Sequence, residues 1–184
     1  MRGILFGTLV FATAIIGGAL SQVGFGGGGR IQIGDGSVSS LERGVRSGDA
    51  LPDAVLVYPF AEQNFASRTG AGSRLLRSEG ALRLYAVPGK GGMLCLIEVD
   101  ELAETAGGAC ADRKVLLTGA IYTATRQPDA SRRVVGLVGD GHTYARAGST
   151  HARVENNAFV LEDVSSSEIT VGSPSASQTV EVGD

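Results

Sequence analysis

The sequence contains no tryptophan, and aromatic residues make up only 5% of it. Basic residues are also few, 16 against 19 acidic ones, and they are scattered along the chain. Nucleic-acid binding needs lysine and arginine clustered on one face, so we expect no nucleic-acid partner. The 28 glycines and the shortage of aromatic side chains favour turns and a core of small residues over a helical bundle.

The sequence lacks several motifs that would indicate a particular enzymatic reaction. The sequence has no G-x-S-x-G and no H-E-x-x-H. The tract GFGGGGR does contain the spacing G-x-G-x-x-G at Gly24, Gly26 and Gly29. A dinucleotide fingerprint must join a strand to a helix, whereas this tract follows an apolar run and precedes a short, turn-rich segment. We therefore interpret it as a flexible tether, and we expect no cofactor and no metal.

The N-terminal region predicts the compartment. Residues 4–20 form an uncharged run that fits the apolar part of a signal peptide and is borderline for a membrane core of roughly 30 Å. Cleavage after Ser21 would release a secreted chain, but we favour an uncut anchor. Arg2 lies on the short side of the run, which predicts a cytoplasmic N-terminus, a location at the cell membrane and an extracytoplasmic body.

Composition divides the chain into four segments. We expect a signal anchor or signal peptide over residues 1–25, a glycine-rich tether over 26–50, an extracytoplasmic β-rich domain over 51–164 and a loose serine-rich tail over 165–184 with at most one marginal strand. Ser39 or Ser40 is a candidate cap for a short helix. The segment ALPDAVLVYPF suggests an extended chain, and brief helical turns are predicted over 62–68 and 73–77.

Strand patterns begin at residue 81. ALRLYAV, the turn PGKGG and MLCLIEV predict a hairpin, and the second strand is apolar on both faces, as expected of a central strand. We expect DELAETAGGACADR to be a loop and KVLLTGAIYTAT a strand bent at Gly119. RRVVGLV, HTYARA, HARVE and AFVLEDV then predict short strands separated by turns. The predicted fold is mainly β, an antiparallel meander or a small sandwich or barrel-like sheet, preceded by one N-terminal membrane-type helix.

The two cysteines allow three interpretations. On an exported chain, Cys95 and Cys110 suggest first an intramolecular disulfide. Unpaired thiols are the second interpretation. A metal site is weaker, because only His142 and His151 could complete a ligand set.

An enzymatic alternative uses the same cysteine. Cys110 would be the nucleophile, His142 or His151 the base, and Asp140 or Asp112 the group that orients the base. Both histidines lie beside turns, where solvated side chains are the ordinary case, and aspartate is favoured in turns for its hydrogen bonds to the backbone.

Clustered carboxylates at residues 100, 101 and 104 are a further candidate, for a cation or a glycan. A charged loop on the solvent face explains them more simply, and they lack the order of a calcium loop.

The stretches RLYAVPGKGGMLCLIEV, RRVVGLVGDGHTYARAG and VENNAFVLEDV resemble a group of small exported or membrane-anchored proteins of unknown function from high-GC Gram-positive bacteria. The resemblance covers residues 73–164 and implies an extracytoplasmic β domain with a disulfide, but no catalytic residues. We predict a non-enzymatic, membrane-tethered binding or structural module at the cell envelope. It would contact the membrane through its N-terminal segment and an envelope protein or polymer through its body. The alternative is an envelope cysteine hydrolase or transpeptidase that uses Cys110.

Overall fold

The computed structural model describes residues 35–127 and 131–182. The predicted membrane-type helix and the first part of the tether lie outside these ranges. Within them, no helix has both the length and the apolar character needed to cross a membrane.

The described chain is mainly β, as predicted, with its helices confined to the N-terminal side. The helices are α1 (Ser39–Glu42), α2 (Asp53–Leu56) and α3 (Pro59–Asn64), with 3₁₀ turns at Ser47–Asp49, Lys90–Gly92 and Arg113–Leu117. The strands are β1 (Arg74–Glu79), β2 (Leu82–Pro88), β3 (Met93–Asp100), β4 (Thr105–Asp112), β5 (Ala120–Arg126), β6 (Arg132–Val138), β7 (Tyr144–Ala147), β8 (Thr150–Arg153), β9 (Ala158–Val164), β10 (Glu168–Ser173) and β11 (Ala176–Glu181).

These strands form three antiparallel sheets. The first has the order β1-β2-β3-β4, the second β11-β10-β7-β8 and the third β5-β6-β9. The predicted hairpin is confirmed, with β3 in a central position. A simple meander is wrong for the last third of the chain, because β6 pairs with β9 and β7 pairs with β10.

The three-stranded sheet lies between the other two. In β6, Val135 and Leu137 join a cluster with the first sheet, whereas Val134 and Val138 join a cluster with the second. A strand that is apolar on both faces needs cover on both faces. Strands β7 and β8 therefore belong to a separate covering sheet, and this is why the meander fails.

The outer face of the first sheet is covered by α2 and α3. The extended chain predicted over 50–60 is wrong, because α2 and the start of α3 lie there, whereas the helical turn predicted over 62–68 overlaps the end of α3. Pro59 occupies the first turn of α3, where its missing N–H costs no helical hydrogen bond. Val55 and Ala61 are buried against Val87 and Ile97 of the sheet. The helical turn predicted over 73–77 is also wrong, since those residues belong to β1.

Two segments that we expected to be irregular are strands. The predicted loop after β3 is a tight turn followed by β4, and the serine-rich tail forms β10 and β11. In the tail, Ile169 and Val171 are buried on one face of β10. These two apolar side chains are enough to hold β10 in the sheet, because it pairs with a strand on each side. Before β5, part of the predicted strand is instead the 3₁₀ turn Arg113–Leu117.

The segment that precedes the domain is attached through side chains. Helix α1 exists, but Val38 occupies its N-cap position and no side chain caps it. Ser39 instead donates its hydroxyl to Asp140 (2.9 Å), and the Ser40 hydroxyl donates to Asn157 (2.8 Å). Asn157 has φ 67° in the turn before β9, where a turn between strands was predicted. At least residues 37–40 of the predicted tether therefore belong to the folded domain.

Candidate functional site

The disulfide joins the internal strand β3 of the first sheet to its edge strand β4. Cys95 on β3 and Cys110 on β4 are register partners, bonded to each other with their Cα atoms 4.0 Å apart. The cysteine prediction is thus confirmed, and no free cysteine lies in the part of the chain that the structure describes. Cys95 is fully buried and Cys110 is half-buried, so the bridge fastens β4 to the core.

The position of the bridge fixes where the backbone groups of β4 point. A Cα separation of 4.0 Å is typical of a pair that exchanges no backbone hydrogen bonds in an antiparallel ladder. The Gly89 amide bonds to the Met93 carbonyl, which confirms that alternate residues of β3 are directed towards β2. Consequently Ala106, Gly108 and Cys110 direct their N–H and C=O groups away from β3.

That outer edge of β4 has no hydrogen-bonded neighbour among residues 35–127 and 131–182. β4 is the last strand of its sheet, and the backbone hydrogen bonds outside the ladders do not include its residues. Between Thr105 and Asp112 the strand carries only alanine, glycine and cysteine. Natural sheet edges are usually blocked by charge, proline or a bulge, because an open edge can pair with another strand.

Two other sheet edges, those of β1 and β11, are covered by side chains. At β1, Asn156 donates to the Leu76 carbonyl (3.1 Å) and Arg43 to the Leu75 carbonyl (3.0 Å). At β11, the Tyr122 hydroxyl donates to the Glu181 carbonyl (2.7 Å). The contrast makes the β4 edge the candidate binding element of the described chain.

A shallow apolar groove lies beside this edge. It is lined by Val55, Tyr58 and Phe60 of the helical region, Ile97 of β3, and Ala106 and Gly107 of β4. The segments that connect α2 to α3 and β3 to β4 each contain an exposed apolar residue, Val57 and Leu102, with 81% and 86% of their surfaces exposed. A partner strand on β4 would therefore meet backbone donors and acceptors beside an apolar surface.

The residues of the enzymatic alternative are engaged elsewhere. Cys110 is in the disulfide and has no thiol to ionise. His142, which we predicted to be solvated, is instead buried, with Nδ1 2.9 Å from the Gly139 carbonyl oxygen. Burial lowers the pKa of this imidazole. Because a carbonyl oxygen can only accept, Nδ1 carries the proton and donates the hydrogen bond. His151 is exposed on β8, in the second sheet, whereas Cys110 is in the first.

The aspartates proposed to orient a base also have structural contacts. Asp140 accepts hydrogen bonds from Ser37 (2.8 Å) and Asn157 (2.7 Å) as well as from Ser39, and these bonds hold its pKa below the ordinary value although burial opposes them. The Asp112 side chain accepts a hydrogen bond from the Lys114 backbone amide at the start of a 3₁₀ turn. Both side chains stabilise local backbone.

Two of the acidic side chains after β3 form hydrogen bonds or ion pairs with neighbouring residues. Asp100 accepts the amides of Leu102 and Ala103, and these bonds together with Arg133 lower its pKa. Glu101 forms an ion pair with Arg83 (3.0 Å). No group of three or more metal-ligating side chains occurs in the described ranges.

Sequence reasoning missed the buried acids Asp49 and Glu98, of which Glu98 lies in the internal strand β3. Glu98 of β3 is only 7% exposed and accepts hydrogen bonds from Thr123 (3.2 Å) and Thr125 (3.3 Å). Arg133 approaches it at 3.4 Å and also contacts Asp100. Burial raises the pKa of Glu98 against the opposing effect of Arg133. The signal was a single glutamate inside the apolar run MLCLIEV, but its partners come from β5 and β6 and could not be found locally.

Comparison with known proteins gives no match, whether to a protein-family model, a curated protein or a solved structure.

Proposed function

We propose that this chain is a non-enzymatic, membrane-tethered binding or structural module on the extracytoplasmic face of the cell envelope, and that it binds through the open edge of β4. The open edge is the observation that carries the proposal. An added strand would gain main-chain hydrogen bonds from Ala106, Gly108 and Cys110 and apolar contact from the adjacent groove. A membrane, through the N-terminal segment, and an envelope protein are the proposed contacts.

The disulfide supports both location and role. Disulfides persist in oxidising, extracytoplasmic compartments, in agreement with the apolar N-terminal run and the position of Arg2. The bridge also holds β4 against β3, so the edge is preorganised and loses little entropy on binding. The cysteine hydrolase or transpeptidase alternative needs a thiolate at Cys110, which the bridge removes.

The test places a photoreactive amino acid at position 107 of the full chain in its own cells. A side chain built on Gly107 meets nothing within 4 Å, and the same is true of Gly44, which serves as the matched control. We expect adducts with an envelope protein from position 107 and not from position 44. Protease added to intact spheroplasts should then degrade the body of the chain, because it faces outward.

Two results would refute the proposal. Equal adduct patterns from positions 107 and 44, or no adducts from either, would show that the β4 edge is not a binding surface in the cell. Full protection from external protease would show that the body is not extracytoplasmic.

A further inference from the structure

We propose that the partner bound at the open edge is a second copy of this chain, added antiparallel to β4 about a two-fold axis. This inference rests on the proposed function, since it names the occupant of the same edge. Two-fold homodimers are the commonest soluble oligomers, and their interface must be self-complementary. The β4 edge has to meet that requirement in hydrogen bonding, shape and charge.

Hydrogen bonding restricts the pairing. Because Ala106, Gly108, Cys110 and Asp112 direct their backbone groups outward, they must face the same set of residues in the copy. An antiparallel arrangement that places Gly108 opposite Cys110 of the copy satisfies this condition. It also places Ala106 opposite Asp112 of the copy, so each strand donates and accepts along most of its length.

The shape of the strand permits the approach. In this register Ala109 faces its own copy on the two-fold axis, as a pair without mutual backbone hydrogen bonds. Such pairs bring Cα atoms to about 4.5 Å, where small side chains are favoured. The neighbouring Gly107 and Gly108 have no side chain that could obstruct the partner.

Charge selects this register. The turn before β4 is acidic, whereas the 3₁₀ turn after it contains Arg113 and Lys114. Glu104 and the Lys114 side chain are exposed, and neither has a hydrogen bond or ion pair from its charged group among the described residues. The chosen register brings Glu104 beside Lys114 of the copy, twice by symmetry.

Registers shifted towards the N-terminal end of β4 are poorer. Moving the axis to Gly108 places Glu104 opposite Asp112 of the copy, so that like charges meet. Moving it to Gly107 places Glu104 opposite Cys110 and Leu102 opposite Asp112, which gains no ion pair. A different envelope protein would not require the two ends of β4 to complement each other in charge.

The test exchanges charges in the full chain, with two differently tagged copies expressed together in their own envelope. Reversing either end, with Glu104→Lys or Lys114→Glu in both copies, should weaken dimer affinity roughly tenfold, since two attractive contacts become repulsive. Pairing a Glu104→Lys copy with a Lys114→Glu copy should restore capture to the wild-type level. Glu155→Lys, a reversal at an exposed turn beside β9, is the matched control and should have no effect.

Capture between a Glu104→Lys copy and a Lys114→Glu copy is the decisive measurement. Restoration supports a symmetric pairing of β4 strands, because only then do the two altered ends meet. Capture that no variant changes would mean that the copies associate elsewhere, and a mixed pair as weak as the single variants would mean that the occupant is another molecule. If the adducts from position 107 persist in either case, only this inference fails; if they are absent as well, the proposed function fails with it.

Discussion

Replacing Asp49 with alanine is expected to lower the free energy of unfolding by about 3–5 kcal/mol, the usual cost of removing one partner from a buried ion pair. Asp49 is 1% exposed and accepts two hydrogen bonds from the Arg43 guanidinium, at 2.5 and 2.7 Å. It also accepts the amides of Arg46 (2.6 Å) and Leu75 (2.9 Å). One carboxylate therefore joins the N-terminal segment to the edge of β1, and its loss leaves several donors without an acceptor.

The pH dependence of this effect provides a second check. The Arg43 guanidinium, followed by the two backbone amides, holds the pKa of Asp49 far below its ordinary value of 3.8. A depressed pKa means that the stabilisation is present above pH 3.8 and is lost as the pH falls towards the folded-state pKa. The difference between wild type and Asp49→Ala should therefore narrow progressively below pH 3.8.

The measurement is urea unfolding of both proteins across this pH range. Asp53→Ala is the matched control, because Asp53 is an exposed aspartate in the neighbouring α2 and should change stability by less than about 0.5 kcal/mol. Equal unfolding midpoints for the Asp49 and Asp53 variants would disprove the proposed anchor.

Loss of the disulfide should cost about 3 kcal/mol, the chain-entropy figure for a closed loop of this size. The sequence separation is 15 residues, and the bridge crosses directly between β3 and β4. Because Cys95 is fully buried, alanine is a better replacement than serine, which would bury an unpaired hydroxyl. Cys95→Ala and Cys110→Ala should lower the melting temperature to a similar extent.

Combining the two replacements should cost about as much as either alone, since the second finds no bridge left to break. Intact mass after alkylation without reduction should show no label on the wild-type protein isolated from its own cells. Label on both thiols would contradict the bridge, and additive losses in the double variant would contradict its role in stability.

The fold was predictable from sequence where the pattern is local. The alternation in β2 and β3 agrees with their observed faces: Leu84 and Leu96 pack in the cluster shared with the central sheet, whereas Val87 and Ile97 pack in the cluster shared with the helices. Glycine-rich β4 has almost no hydrophobic pattern, and only its pairing with β3 makes it a strand. The tail likewise gains strand structure by pairing of β10 with β7, which no local signal specifies.

The candidate site was only partly predictable. The disulfide was predictable, because the apolar N-terminal run predicts export and two cysteines on an exported chain favour a bridge. The open edge was not, since it depends on which strand ends the sheet and on where side chains such as Asn156 cover the other edges. His142 was assigned to solvent from its position beside a turn, yet tertiary packing buries it.

Residue-level amide hydrogen exchange of the full chain tests the central claim most directly. In dilute protein, the outward amides of Ala106, Gly108 and Cys110 should exchange quickly, while Gly107 and Ala109, bonded to β3, should be protected. At protein concentrations high enough for a partner strand to pair with β4, the outward amides should become protected and the inward ones should change little. Outward amides that are already protected in the dilute protein, or that stay unprotected at high concentration, would contradict the account.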